Sequence, residues 1–203
     1  DFRFPEANFV LAFLYMRGLG VERNPNLAKN YCRIAAEANL PSAQYMLATL
    51  LEADDSDQAR KSLIHWYKKA AHNGHSLAAF RLADLYEQGL VVEKDSAESA
   101  HWYVVSAELG CSAAAAHLGW LYEEGVFLER NESLARTMYM RSVELNSIAG
   151  CMSLARAYRS GSLGLPVDPE RARKLEEQAS TLRELRDKQD AQVLMDILGQ
   201  TQR

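Results

Sequence analysis

The sequence predicts an all-α fold in which about five helical hairpins stack into a solenoid, followed by a C-terminal capping helix or helices. A Leu-Ala or Leu-Gly pair recurs with successive leucines 36, 35, 36 and 36 positions apart. A tyrosine or leucine follows each pair at a fixed distance, and a glycine comes soon after in four of the five copies. Repetition with this period is typical of stacked helical hairpins, in which each unit covers the apolar face of its neighbour.

The first helix of each hairpin carries the most regular part of the motif. Its anchor leucines are Leu11, Leu47, Leu82, Leu118 and Leu154. A small residue stands four positions before each anchor, and the tyrosine or leucine stands four positions after it. This spacing places the three side chains on one face of a helix, and the later glycine ends the helix at low cost. The second copy instead reads LLEADDSDQARKS, so we expect its hairpin turn to be built differently.

A loop and a second helix complete each unit. Four loops close with a residue type that caps helices, namely Asn24, Asp95, Asn131 and Asp168. Pro25 and Pro169 follow two of them, at the first helical position, where a missing N–H costs nothing. The second helices carry an aromatic or apolar pair, such as Trp102-Tyr103, and then small residues. They are expected to end at Asn39, Gly74, Gly110 and Asn146.

The repeat pattern divides the chain into a solenoid over residues 1–180 and a C-terminal segment over residues 181–203. The expected units are about 5–40, 41–75, 76–110, 111–146 and 147–180. In the fifth unit Glu176 replaces the aromatic residue. The apolar residues after the repeats are Leu182, Leu185, Val193, Leu194, Ile197 and Leu198. They predict one or two amphipathic helices that cap the open end of the solenoid, or alternatively a helix that forms a homodimer.

The repeated unit resembles the Sel1-like repeat, a tetratricopeptide-related α/α unit of about this length. The matching stretches include AFLYMRGLGVERN, WYKKAAHNGH, RLADLYEQGLVVEKD and HLGWLYEEGVFLERN, and the resemblance covers roughly residues 5–180. It implies a right-handed α/α superhelix that serves as an adaptor or scaffold for a partner protein or peptide. Some cysteine-rich Sel1-like proteins bind or hydrolyse β-lactams, but they carry paired cysteines in every repeat, and this chain has three in total.

Composition narrows the possible functions. The formal net charge is −4, so clustered Lys and Arg of the kind that binds nucleic acid are not expected. No apolar run approaches the roughly 18–20 residues that span a bilayer. The start, DFRFPEANFV, lacks a Met and an apolar signal core, which suggests a processed or trimmed chain. Cys32, Cys111 and Cys151 form no CxxC pair and are predicted to be buried free thiols.

The sequence contains no recognisable catalytic or cofactor motif. It has no HExxH, nucleophile elbow, phosphate-binding loop or dinucleotide fingerprint. His72 and His75 flank the helix-ending Gly74, and a third zinc ligand is lacking. We therefore expect no enzyme activity, no metal site and no cofactor.

The expected partner-binding surface is the concave face that first helices form in related helical repeats. The relevant positions lie two, five and six residues after each anchor leucine. They place on this face Phe13, Met16, Arg17, Asp84, Glu87, Gln88, Trp120, Glu123, Glu124, Arg156 and Arg159. The charges predict an acidic centre and a basic far end, which would fit a peptide with basic residues flanking an apolar one.

Trp120 is the residue on this surface that differs most from what the repeat pattern requires. Its position is filled by Thr49, Asp84 and Arg156 in other units, so packing within the repeat does not demand a tryptophan. Two interpretations remain open, because the ring can either anchor a partner or pack against the adjacent unit.

Overall fold

The computed structural model describes the backbone of residues 4–54 and 56–200 and the side chains of residues 4–54 and 56–190. Over these residues the chain is helical, with ten helices and no strand. They are α1 (Pro5–Arg17), α2 (Pro25–Glu37), α3 (Pro41–Leu51), α4 (Asp57–His72), α5 (Ser76–Gln88), α6 (Ser96–Glu108), α7 (Ser112–Glu124), α8 (Glu132–Glu144), α9 (Ile148–Ser160) and α10 (Pro169–Gln200). The all-α prediction is confirmed.

The helices form two compact units. The N-terminal unit, Asp1–Gly110, contains the hairpins α1–α2, α3–α4 and α5–α6, in which α2 packs on α3 and α4 packs on α5. The C-terminal unit, Cys111–Arg203, contains α7–α8 and α9–α10, with α8 packed on α9. Each first helix therefore packs on the second helix of its own hairpin. Where another hairpin precedes it in the same unit, it also packs on the second helix of that hairpin.

Four of the five hairpins close their loops by the same hydrogen bonds. Their first helices end at a glycine in the left-handed region, where φ is 69–71°. The backbone N–H of the loop's last residue then donates to the carbonyl of the tyrosine that follows the anchor, as Asn24 does to Tyr15 at 2.9 Å. The side chain of that last residue caps the second helix, which confirms the predicted caps at Asn24, Asp95, Asn131 and Asp168.

The second helices end where the sequence predicted. Gly74 and Gly110 have φ of 88° and 89°, and Asn39 and Asn146 have φ of 65° and 59° at the equivalent places. Asparagine fills this role because its short polar side chain tolerates the left-handed region better than other non-glycine residues do.

The cores of the second, third and fourth repeats combine alanines with one large ring. Tyr67, Tyr103 and Tyr139, from the second helices, are at most 1% exposed. Alanine follows the anchor leucine in four repeats, but the fourth has Gly119, where a Cβ atom would lie 2.6 Å from the Tyr139 ring. The closer approach of this ring explains the single Leu-Gly pair.

Helix α10 runs through the expected boundary at residue 180 without a break. Ala179 is buried and Leu182 is half-buried, whereas every residue from 183 to 190 is exposed. Leu185 is 52% exposed. The side chains of Val193, Leu194, Ile197 and Leu198 lie outside the described residues, so the capping role of this segment stays a prediction.

Candidate functional site

The candidate site is the set of positions on the first helices that lie two, five and six residues after each anchor leucine. We call this surface the first-helix face and describe it separately in each compact unit. In the first repeat Phe13 is 45% exposed, Met16 is half-buried and Arg17 is exposed. The Arg17 guanidinium carbon lies 5.7 Å from the centre of the Phe13 ring, at a distance typical of cation–π pairs.

Asp84 and Glu87 of the third repeat meet at one buried tyrosine. The Tyr103 hydroxyl lies 2.7 Å from Asp84 Oδ1 and 2.6 Å from Glu87 Oε2. Because a phenol has one proton, it donates to one carboxylate at a time. Burial of the ring and these two hydrogen bonds raise the pKa of Tyr103, since a phenolate would face two carboxylates. Gln88, one position further on, is exposed.

The second repeat contains a similar contact between a tyrosine and a carboxylate, and an arginine of the third repeat joins it. Tyr67 donates to Glu52 Oε1 at 2.6 Å, and Arg81 of the third repeat donates to the same oxygen at 2.9 Å. Arg81 also lies 3.6 Å from Asp84 Oδ2. A tyrosine, a carboxylate and an arginine thus connect two successive hairpins at the edge of the first-helix face.

The C-terminal unit contains an equivalent triad. Tyr139 donates to Glu123 Oε2 at 2.7 Å, while Arg156 of the fifth repeat reaches both Glu123 oxygens at 2.8 and 2.6 Å. The Glu123 side chain is 16% exposed, whereas that of Arg156 is 59% exposed. Arg159 pairs with Glu176 at 2.7 Å. These acidic and basic residues therefore offset each other locally, and the surface is less polarised than their sequence positions suggest.

Trp120 and Glu124 present side chains to solvent. The Trp120 side chain is 40% exposed, and its ring centre lies 5.5 Å from that of His117 one helical turn earlier. Glu124 is exposed. Met152 is 46% exposed, although the equivalent position, two residues before the anchor, is half-buried or buried in the other four repeats. Trp120 and Met152 thus offer apolar surface on α7 and α9.

The role of the tyrosine hydroxyls was not predicted from the sequence, where the second-helix aromatics stand out only as part of the repeat pattern. A signal was present, since a carboxylate five residues after the anchor accompanies a tyrosine in the second helix in repeats two to four. In the fifth repeat both residue types change together, to Arg159 and Glu176, and the contact becomes an ion pair. Paired changes of this kind indicate contact between two helices.

The three cysteine thiols are withdrawn from the surface. All three cysteines are buried and free, as predicted. Burial raises the pKa of Cys32 to about 12, and its thiol donates to the Ala43 carbonyl at 3.3 Å. A protonated, enclosed thiol is a poor nucleophile. In the part of the chain that the structure describes, no group of His, Cys, Asp and Glu side chains could hold a metal ion, and no helix is long and apolar enough to cross a membrane.

The comparisons with known proteins agree with the repeat pattern. The family model for the Sel1 repeat matches residues 5–40, 64–75, 76–111, 112–147 and 148–182. A Sel1 repeat protein from Oxalobacter formigenes superposes with a TM-score of 0.77 and 28% identity, over 87% of this chain and 73% of that one. The protective antigen c5321 of uropathogenic Escherichia coli strains, described as displaying an SLR fold, gives a TM-score of 0.78 and 28% identity, over 87% of this chain and 38% of that one.

A further relative extends the comparison to a longer protein. An uncharacterized protein from Neisseria meningitidis serogroup B is 33% identical over 91 residues, which is 45% of this chain. The match spans 19% of the length of that relative. Together these likenesses confirm the predicted class of fold, a solenoid of α/α repeats.

Proposed function

Because the chain belongs to the Sel1 repeat family, we propose that it is a non-catalytic scaffold that binds a partner protein or peptide along its first-helix face. Sel1 repeats commonly mediate protein–protein interaction, and the scaffold is typically non-catalytic. The observation that carries the proposal is Trp120, a large aromatic side chain 40% exposed at a position where the second, third and fifth repeats have threonine, aspartate and arginine and the first has Phe13. Tryptophan is enriched among the residues that dominate binding energy at interfaces.

The charges on the N-terminal unit indicate the kind of partner. Carboxylates of Glu52, Asp84 and Glu87 gather near the Tyr67 and Tyr103 hydroxyls. A peptide that presents basic residues on either side of an apolar one would complement this surface. Such complementarity would set the orientation and the rate of association more than the final affinity.

Trp120→Ala tests the proposal directly. A pull-down with the intact chain and mass spectrometry identifies the partner, and calorimetry then measures its affinity for each variant. We expect Trp120→Ala to weaken binding about 30-fold, the value for a typical interface hot spot of about 2 kcal/mol. The melting temperature should not change, because a large part of the ring already faces solvent.

Met140→Ala is the matched control. Met140 is 43% exposed in the same compact unit, but it lies on the second helix α8. Its loss should leave binding unchanged. A fall of several degrees in melting temperature for Trp120→Ala, with no loss of affinity, would assign the tryptophan to the core and refute the proposed surface.

A structural homodimer through α10 is the second candidate. It is favoured by the run of exposed residues from 183 to 190, which includes Leu185 at 52% exposure. A helix without packing partners is marginal in water, so association would stabilise this part of α10.

A further inference from the structure

The second repeat lacks the loop that the other four repeats share. Its first helix ends at Leu51 with Glu52 still in the right-handed helical region, and Ser56 caps the next helix. The Asp54 N–H donates to the Leu51 carbonyl at 3.1 Å, and the Ser56 N–H donates to Asp54 Oδ1 at 3.0 Å. The described residues of this turn therefore lack the glycine-ended loop that the other four repeats share.

A cavity of about 250 Å³ lies beside this turn, within the N-terminal unit. We call it the turn notch. Its apolar floor is built from three helices, by Leu51, Leu63 and Leu85, each at most 8% exposed. Leu90 stands at the rim with 72% of its side chain exposed, whereas the equivalent Leu19 and Val126 in other loops are half-buried. The short turn thus coincides with an open apolar pocket and an uncovered leucine.

The size and position of the turn notch favour a side chain of a partner as its occupant. Ligand pockets for whole small molecules usually measure about 300–1,000 Å³, so this volume suits one leucine- or phenylalanine-sized group better than a cofactor. Glu52 and Gln88 line the cavity and also belong to the first-helix face, five and six residues after their anchors. A peptide that follows this face would therefore pass the mouth of the notch.

The charges around the mouth favour a basic partner. Asp54 is exposed, and hydrogen bonds from Ser56 lower its pKa, so this carboxylate is ionised at neutral pH. Arg81 is already engaged by Glu52 at 2.9 Å. The charged residues that line the notch are Glu52, Asp54, Arg60 and Arg81. The adjoining first-helix face adds Asp84 and Glu87, and Lys94 packs against Gly89 beside the rim. These four carboxylates outnumber the three basic groups, so a positively charged segment is the complementary partner.

We propose that the turn notch binds one apolar side chain of a basic peptide segment of the partner, with the peptide's Lys or Arg residues meeting the surrounding carboxylates. This inference rests on the proposed scaffold function and adds the kind of peptide that the second and third repeats would select.

Synthetic peptides provide the test. The probe set contains one Leu or Phe between Lys and Arg residues, a matched set has Ala in place of the apolar residue, and a third set has Glu in place of the basic residues. Fluorescence anisotropy measures their binding to the intact chain and to Leu90→Asp. Because Leu90 is exposed, this change should leave the fold intact, which circular dichroism and the melting temperature verify. Val167→Asp, in the loop of the fifth repeat and 63% exposed, is the matched control.

We expect the basic peptides with Leu or Phe to bind, and Leu90→Asp or the change to Ala to weaken binding at least tenfold. Val167→Asp should not alter it. The proposal fails if no peptide binds the intact chain, if the acidic set binds better, or if light scattering shows that Leu90→Asp only abolishes self-association. If Trp120→Ala weakens binding of an identified partner but Leu90→Asp does not, the proposed binding at the turn notch is refuted and the proposed scaffold function is retained. If neither change affects binding of an identified partner, both proposals fail.

Discussion

Tyr139→Phe probes the contact that connects the fourth and fifth repeats through Glu123. The ring is 1% exposed and its hydroxyl donates to Glu123 Oε2 at 2.7 Å. The substitution keeps the ring in its packed position and removes one hydrogen bond to a charged group, a contact worth about 1.5–3 kcal/mol. Glu123 retains Arg156 at 2.6 Å and remains partly exposed, which places the expected loss near the lower end, at about 2 kcal/mol.

Urea titration followed by circular dichroism would measure this loss as a lower free energy of unfolding. At about 2–4 °C per kcal/mol for a chain of this size, the melting temperature should fall by roughly 4–8 °C. A double-mutant cycle with Glu123→Gln isolates the pair, and we expect a coupling energy of about 1 kcal/mol or more. Tyr31→Phe is the control, because Tyr31 stacks on Tyr15 and its hydroxyl has no hydrogen-bond partner among the described residues.

Two outcomes would refute this reasoning. If Tyr139→Phe is as stable as the parent chain, the hydroxyl contributes nothing and the ring acts only as core. If the single changes are destabilising but additive in the cycle, the loss comes from packing and not from the hydrogen bond.

Two further predictions concern pH and the C-terminal helix. His75 caps α5 by accepting the Ala78 N–H at 3.3 Å, and burial lowers its pKa below the ordinary 6.5. The unfolded chain therefore takes up the proton first, and the free energy of unfolding should fall as the pH drops below about 6.5. His75→Asn keeps an acceptor at the cap and should flatten this fall in urea midpoints measured across pH, whereas equal slopes for both chains would contradict the assignment. If α10 forms a homodimer, light scattering should give twice the monomer mass for the full chain and the monomer mass for a chain ending at Leu182. Monomers in both cases would exclude the dimer.

Much of the fold could be predicted from the sequence because its determinants are local. The caps at Asn24 and Asp95 depend on a side chain that bonds to a backbone N–H two or three residues away. The helix ends at Asn39 and Gly74 depend on the backbone freedom of one residue. The repeat period then made each local signal stronger, because five copies support one assignment.

The candidate site was predicted only in part, because its chemistry depends on contacts between helices. Sequence position placed Glu123 and Arg156 on one surface, but their mutual ion pair and the hydrogen bond from Tyr139 require the positions of three helices in space. The exposure of Leu90 likewise does not follow from its position in the repeat, because Leu19 and Val126 at the equivalent positions are half-buried.

The sequence by itself determined that the chain is built from helical hairpins and where most of its helices begin and end. Propensities, caps and the spacing of apolar residues act within one or two turns of helix, and they can be read without coordinates. Only the tertiary structure decided which charges pair, which aromatic rings remain exposed and where a cavity opens. Those properties arise from side chains that are distant in sequence and brought within a few ångströms by the packing of one hairpin on the next.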